Sequence, residues 1–172
     1  MLEWQRLGVA RADCRTRTAA RGPPRAHRRL TSGVLVTSQI YINVDVDDLD
    51  RAIQFYTLGL GLQLRRRLFA GRVAELSGAG STLHLLSHAA GSPSSAGEVQ
   101  LRDYRRHWTP VHLDFVVPDI EKAVSNATQA GAVLERDIHD YSWGRIAGLA
   151  DPFGHGICLI QLLGRGYDEV QG

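Results

Sequence analysis

From residue 40 the chain alternates, with Ile40, Ile42, Val44 and Val46 separated by Tyr41, Asn43 and Asp45. A period of two sends successive side chains to opposite faces, so this segment predicts a half-buried strand. The period then changes. Leu49, Ala52, Ile53 and Tyr56 recur at i, i+3, i+4 and i+7, which is one face of a helix. Asp48 (or Asp47) stands where an N-cap belongs, and Leu58-Gly59-Leu60-Gly61 supplies the glycine that ends a helix. Three short strands are expected next, near 62–69, 71–77 and 81–88, with Gly78-Ala79-Gly80 turning the last hairpin.

The same plan recurs downstream. Val111, Leu113, Phe115 and Val117 alternate with His112, Asp114 and Val116; Asp119 caps a helix reaching Ala130, and Gly131 stops it. Strands follow near 132–138, 144–149 and 156–163, the last two joined by Asp151-Pro152-Phe153-Gly154, a type I turn by residue choice. The two halves also match residue by residue. Val46–Ile53 aligns with Val117–Val124 at an offset of 71, with seven of eight pairs identical or chemically equivalent. Arg72-Val73-Ala74 matches Arg145-Ile146-Ala147, and Leu83–Leu86 matches Ile157–Ile160, at offsets of 73 and 74. A slowly growing offset is the mark of one duplicated unit with small loop insertions. The expected architecture is α+β: two βαβββ modules in one chain, their sheets curved around a shared cleft. Module 1 spans 37–88, a Gly/Ser/Pro-rich and then charged linker or lid spans 89–109, and module 2 spans 110–167, making one domain over 37–167.

Composition changes this picture only at the N-terminus. Eight arginines fall within residues 1–36 against Glu3 and Asp13, so the remainder of a chain of net charge +2 is mildly acidic. Residues 1–36 show no sustained apolar period and read as a disordered arm; a transit peptide, or a true start near Val36, are alternatives. An acidic body without clustered Lys/Arg argues against nucleic acid, and no apolar run is long enough for a membrane span. Cys14 and Cys158 lie in the arm and in a core strand, an unpaired usage that fits a reducing cytoplasm.

Alternation sorts the faces. Ile42/Val44, Leu83/Leu85, Leu113/Phe115 and Ile157/Leu159 should pack beneath the helices. The opposite face then receives Tyr41, Asn43 and Asp45, Thr82 and His84, His112 and Asp114, and Cys158 and Ile160. Tyr41 is the repeat mate of His112, and His84 of Cys158, so pseudo-twofold packing would bring four ligand-capable side chains together. His139, Tyr141, Trp143 and Arg145 could wall a pocket for a planar or anionic ligand, or simply pack along a strand edge. His155, after the turn glycine, is expected to be exposed, and Tyr167 to cover a sheet edge.

Two segments carry a resemblance. Val-x-Asp-Leu-x-x-Ala-x-x-Phe-Tyr from Val46 to Tyr56, and Asp-Pro-Phe-Gly-His-x-x-x-Leu-Ile from Asp151 to Ile160, resemble the vicinal oxygen chelate superfamily over about residues 38–167. That superfamily includes glyoxalase I, bleomycin-resistance proteins, fosfomycin-resistance enzymes and extradiol dioxygenases. Its metal-dependent members take ligands from the first and last strand of each module. Carried onto this chain, the resemblance implies Tyr41 and His112, five residues before Val46 and Val117, and Cys158, seven after Asp151, with His84 as its repeat mate. Both positions that carry Glu in glyoxalase I differ, which speaks against that activity.

Two classes of function remain open. One is an enzyme acting on a small oxygenated molecule, of lyase, isomerase or dioxygenase type. There His84 and His112 are catalytic, His84, His112 and Cys158 hold one divalent metal (Zn, Fe, Mn or Ni), and Tyr41, Asn43, Asp114, Trp143 and Arg145 bind ligand. The other is a metal-free binding protein of bleomycin-resistance type. A small-molecule ligand and a homodimer are expected in either case.

Overall fold

The computed structural model describes residues 39–95 and 99–170; the arm expected over 1–36 lies outside them. Module 1 comprises β1 (Tyr41–Val46), α1 (Leu49–Gln54), β2 (Gln63–Leu68), β3 (Val73–Ala79) and β4 (Ser81–Ser87). Module 2 comprises β5 (Leu113–Val116), α2 (Ile120–Gln129), β6 (Val133–Tyr141), β7 (Gly144–Ala150) and β8 (Gly156–Leu162). Each forms a four-stranded mixed sheet of identical topology, β1-β4-β3-β2 and β5-β8-β7-β6, with the first strand parallel to the last. The duplication legible in the sequence is therefore a duplication of fold.

Both helices start as the sequence dictates. The Asp48 carboxylate accepts from Arg51 N at 3.0 Å and Asp119 from Lys122 N at 2.9 Å, each satisfying an amide that has no intrahelical partner. The first helix differs from expectation at its end. It stops being α-helical at Gln54 and widens into a π-turn over Phe55–Gly59. The wider turn lets the consecutive rings of Phe55 and Tyr56 both enter the core, where they meet edge to face at 5.2 Å.

One apolar core serves both modules. Val44, Leu83 and Leu85 join Ile157 and Leu159 in a single cluster, with Ile42, Leu113 and Phe115 packed against it, as the alternation required. The helices meet inside that cluster. A Cβ on Gly59 would lie 2.9 Å from Ala130 Cβ, so glycine is what lets the π-turn approach α2. Between the modules, the Arg102 guanidinium binds Asp45 at 2.6 Å and Tyr104 Oη donates to His88 O at 2.9 Å, pinning the linker to module 1. Among the described residues no helix is long and apolar enough to cross a membrane.

One turn is strained. Phe69 and Ala70 are the non-glycine residues with positive φ (51° and 54°) among the described residues, and Gly71 follows at 86°. Amides of Gly71 and Arg72 donate back to Leu68 O and Phe69 O, closing a left-handed turn between β2 and β3. A Cβ in that conformation crowds the following carbonyl at about 1–2 kcal/mol per residue. The equivalent turn of module 2, around Ser142 and Trp143, carries no such residue.

Candidate functional site

The polar faces of the two sheets carry matching ladders. In module 1 the register aligns Asn43, His84, Glu75 and Arg66 across four strands. Arg66 grips Glu75 with two bonds of 3.1 and 2.9 Å, and that contact above all holds the Glu75 carboxyl below its usual range. His84 Nε2 lies 3.5 Å from Glu75 and its Nδ1 3.3 Å from Asn43 Oδ1, while Tyr41 packs its ring 5.4 Å away. Both imidazole nitrogens thus already face oxygen acceptors, and the side chain is only 10% exposed. Glu75 and Arg66 were not singled out from sequence, because cross-strand register decides their place beside His84.

In module 2 the corresponding ladder is Asp114, Cys158, Gly148 and Arg136. Where module 1 has a carboxylate, module 2 has a glycine, and the Arg136 guanidinium lies over it: a Cβ on Gly148 would meet Arg136 Nε at 2.5 Å. Arg136 Nη2 comes within 3.9 Å of Cys158 Sγ and its guanidinium stacks 5.0 Å from the Trp108 ring. His112 Nε2 sits 3.2 Å from Asp114 and its ring 5.5 Å from Trp108.

Donor atoms of His112, Asp114 and Cys158 lie within 4.8 Å of one another. His84 is not among them. The single four-residue cluster expected from the repeat is therefore divided: Tyr41 with His84 on one sheet, His112 with Cys158 on the other. The divided sets each follow from strand register, which fixes neighbours within a sheet and says nothing about neighbours between sheets.

The module 2 trio meets the distance requirement for a cation, and the Arg136 guanidinium stands beside it. Burial pushes the Cys158 thiol above its ordinary range, the Asp114 carboxylate adds to that, and Arg136 only partly opposes it. The Arg136 guanidinium beside the sulfur favours the thiolate, and it would repel a cation placed in the same position. Alkylation by iodoacetamide tests these charges directly. Its rate for Cys158 should rise with pH only above the range of an ordinary thiol; Asp114→Asn should shift that profile to lower pH and Arg136→Met to higher. Superimposable profiles would contradict the assignment.

Trp143 and Arg145 lie elsewhere, on the β6–β7 hairpin. Arg145 bonds Asp140 at 2.7 Å and Glu121 at 2.5 Å, and Trp143 is stacked between Tyr141 (5.4 Å) and Tyr167 (4.8 Å). His155 corrects its expectation. Its Nδ1–H donates to the buried Asp151 carboxylate at 2.9 Å, leaving the side chain 24% exposed, because the Asp-Pro-Phe-Gly turn folds it back onto its own first residue.

Between the modules lies a cavity of about 800 Å³. Its walls are the free side of β1 (Ile42–Asp45), the start of module 2 (Val111–Leu113), the β2–β3 turn with Phe69 and Arg72, and the His155–Ile157 segment. Of the candidate residues it takes in Asn43 and His112; four imidazoles, those of His88, His107, His112 and His155, face it. Such a volume, with apolar walls and a few polar groups, is typical of organic-ligand sites.

The comparisons with known proteins agree with this architecture. A glyoxalase-like domain family model matches residues 41–160. No curated protein matches the chain in sequence. Solved structures of the same fold include TioX from Micromonospora sp. ML1, 22% identical, covering 74% of this chain and 100% of its own, at a TM-score of 0.57. TnmS3, an antibiotic binding protein from Streptomyces sp. CB03234, is 20% identical over 76% and 100%, at 0.54. Lactoylglutathione lyase from Agrobacterium tumefaciens is 18% identical over 73% and 93%, at 0.51.

Proposed function

This chain belongs to the glyoxalase-like domain family, and within it we propose that it is a metal-free binding protein for a small organic molecule held in the inter-module cavity. The family fold serves both lyases and ligand binders, as its structural neighbours include one of each by description. The observation that favours binding is the geometry around Cys158: the Arg136 guanidinium lies 3.9 Å from its buried sulfur, a fixed positive charge that would repel a cation held there. His84 supports the same reading, since both its nitrogens are engaged. A carboxylate free to act as base is missing from both ladders, Glu75 being tied to Arg66 and Asp114 to His112.

The test is metal content after equilibration with zinc, iron, manganese and nickel. We expect substoichiometric binding of each, unchanged in His112→Ala. His112→Ala should instead weaken an organic ligand by about 0.5–3 kcal/mol, the worth of one hydrogen bond, with stability nearly intact. Stoichiometric metal that disappears with His112 would replace this reading with the metal-dependent enzyme.

A further inference from the structure

The cavity has an unequal charge balance. Arg72 and Arg102 contribute fixed positive charge to its lining, and among the described residues Asp45 is its single carboxylate. Arg102 and Asp45 neutralise each other at 2.6 Å, and His88 adds a nitrogen 3.9 Å from the same carboxylate. Arg72 differs. Most arginines of the described residues are fastened to a carboxylate, Arg66 to Glu75, Arg106 to Glu135 and Arg145 to Glu121 among them. Arg72 has no such partner among the described residues, and apart from the paired Arg102 and Asp45 the cavity is lined by imidazoles, neutral polar groups and apolar side chains.

Its position is set by the strained turn. Left-handed Phe69 and Ala70 occupy places where Asn and Gly would sit without cost, so this sequence retains conformational strain in order to place Phe69 and Arg72 at the cavity. Strain of this kind persists where surrounding structure imposes it, and it gathers at ligand clamps. Phe69 brings a planar apolar ring, and Ile42, Val44, Leu113 and Ile157 extend the apolar wall. From these observations we infer that the cavity selects a planar aromatic anion, with Arg72 as its charge anchor and the Phe69–Gly71 turn as the element that presents both recognition groups. This inference rests on the cavity-binding reading above and assigns the ligand its chemical class.

Three isosteric probes separate the alternatives: 2-naphthoate, the neutral 2-naphthamide and the cationic 2-naphthylmethylammonium. Affinities are measured by calorimetry on the full chain. Wild type should bind the carboxylate at least about tenfold more tightly than the amide, which corresponds to one charge-assisted contact, and should bind the ammonium most weakly. Arg72→Gln should erase the preference for the anion while leaving amide affinity within about twofold, and Arg65→Gln, on the same hairpin, should change nothing. Phe69→Asn with Ala70→Gly should raise the melting temperature, because the turn then adopts its conformation without strain, yet loosen all three probes several-fold. A gain in stability with unaltered affinity would remove the turn from recognition. Equal affinity for the three probes in wild type, or an anion preference that survives Arg72→Gln, would overturn the class assignment and leave the cavity reading standing. Ile42→Trp, which fills the cavity, distinguishes the deeper failure: probes that bind it as tightly as wild type, or that bind neither protein, overturn the cavity reading together with the inference.

Discussion

Asp151→Ala is expected to destabilise the protein by about 3–5 kcal/mol, the range for removing one member of a buried charged network. The carboxylate has no solvent exposure and accepts four hydrogen bonds. Phe153 N (2.8 Å) and His155 N (2.9 Å) reach one oxygen; Tyr56 Oη (3.0 Å) and His155 Nδ1 (2.9 Å) reach the other. Deleting it strands the Tyr56 hydroxyl, which is fully buried and whose pKa is raised well above the ordinary range by burial first and by Asp151 second. Tyr56 is accordingly a permanent donor that needs this acceptor. The bond also ties module 1 to module 2, across 95 residues of sequence. Chemical denaturation measures the loss, and Tyr56→Phe, which removes one donor and leaves the carboxylate three others, should cost only about 1 kcal/mol. A loss below about 1 kcal/mol for Asp151→Ala would show that water replaces the missing acceptor and that the network is not the fastening described.

Phe55→Ala should cost a comparable amount, about 3–5 kcal/mol, as a large-to-small change in a well-packed core. Phe55 is 1% exposed and packs against Tyr56 and beside Gly59, at the junction where the π-turn meets α2. Because one cluster holds side chains of both sheets, the variant should still melt in a single transition at a lower temperature. Two resolved calorimetric transitions, one at the wild-type temperature, would mean that the modules have separate cores.

Much of the architecture is written in local patterns. The two-residue period of Ile42–Val46 and of Leu113–Val117 settles which side chains turn toward the helices, because a strand has only two faces. The caps at Asp48 and Asp119, and the repeat at offsets of 71 to 74, give two copies of one unit before any tertiary contact is known. The motifs around Val46–Tyr56 and Asp151–Ile160 carry the family for the same reason: each is a local turn or helix start whose residues act on their own neighbours.

Tertiary structure alone decided the rest. Tyr41, His84, His112 and Cys158 were rightly placed on the polar faces, yet whether two sheets turn those faces together depends on module packing, which no periodicity encodes. Strand register brought Glu75 beside His84 and Arg136 over Gly148, and these long-range neighbours decide what each candidate ligand faces. The π-turn after Gln54 and the left-handed Phe69-Ala70 pair run against local preference, so the sequence could not announce them; packing and cavity geometry impose them from outside. Asp151 shows both levels in one residue: its turn was legible from Asp-Pro-Phe-Gly, whereas its bond to Tyr56 exists only because the two modules share a core.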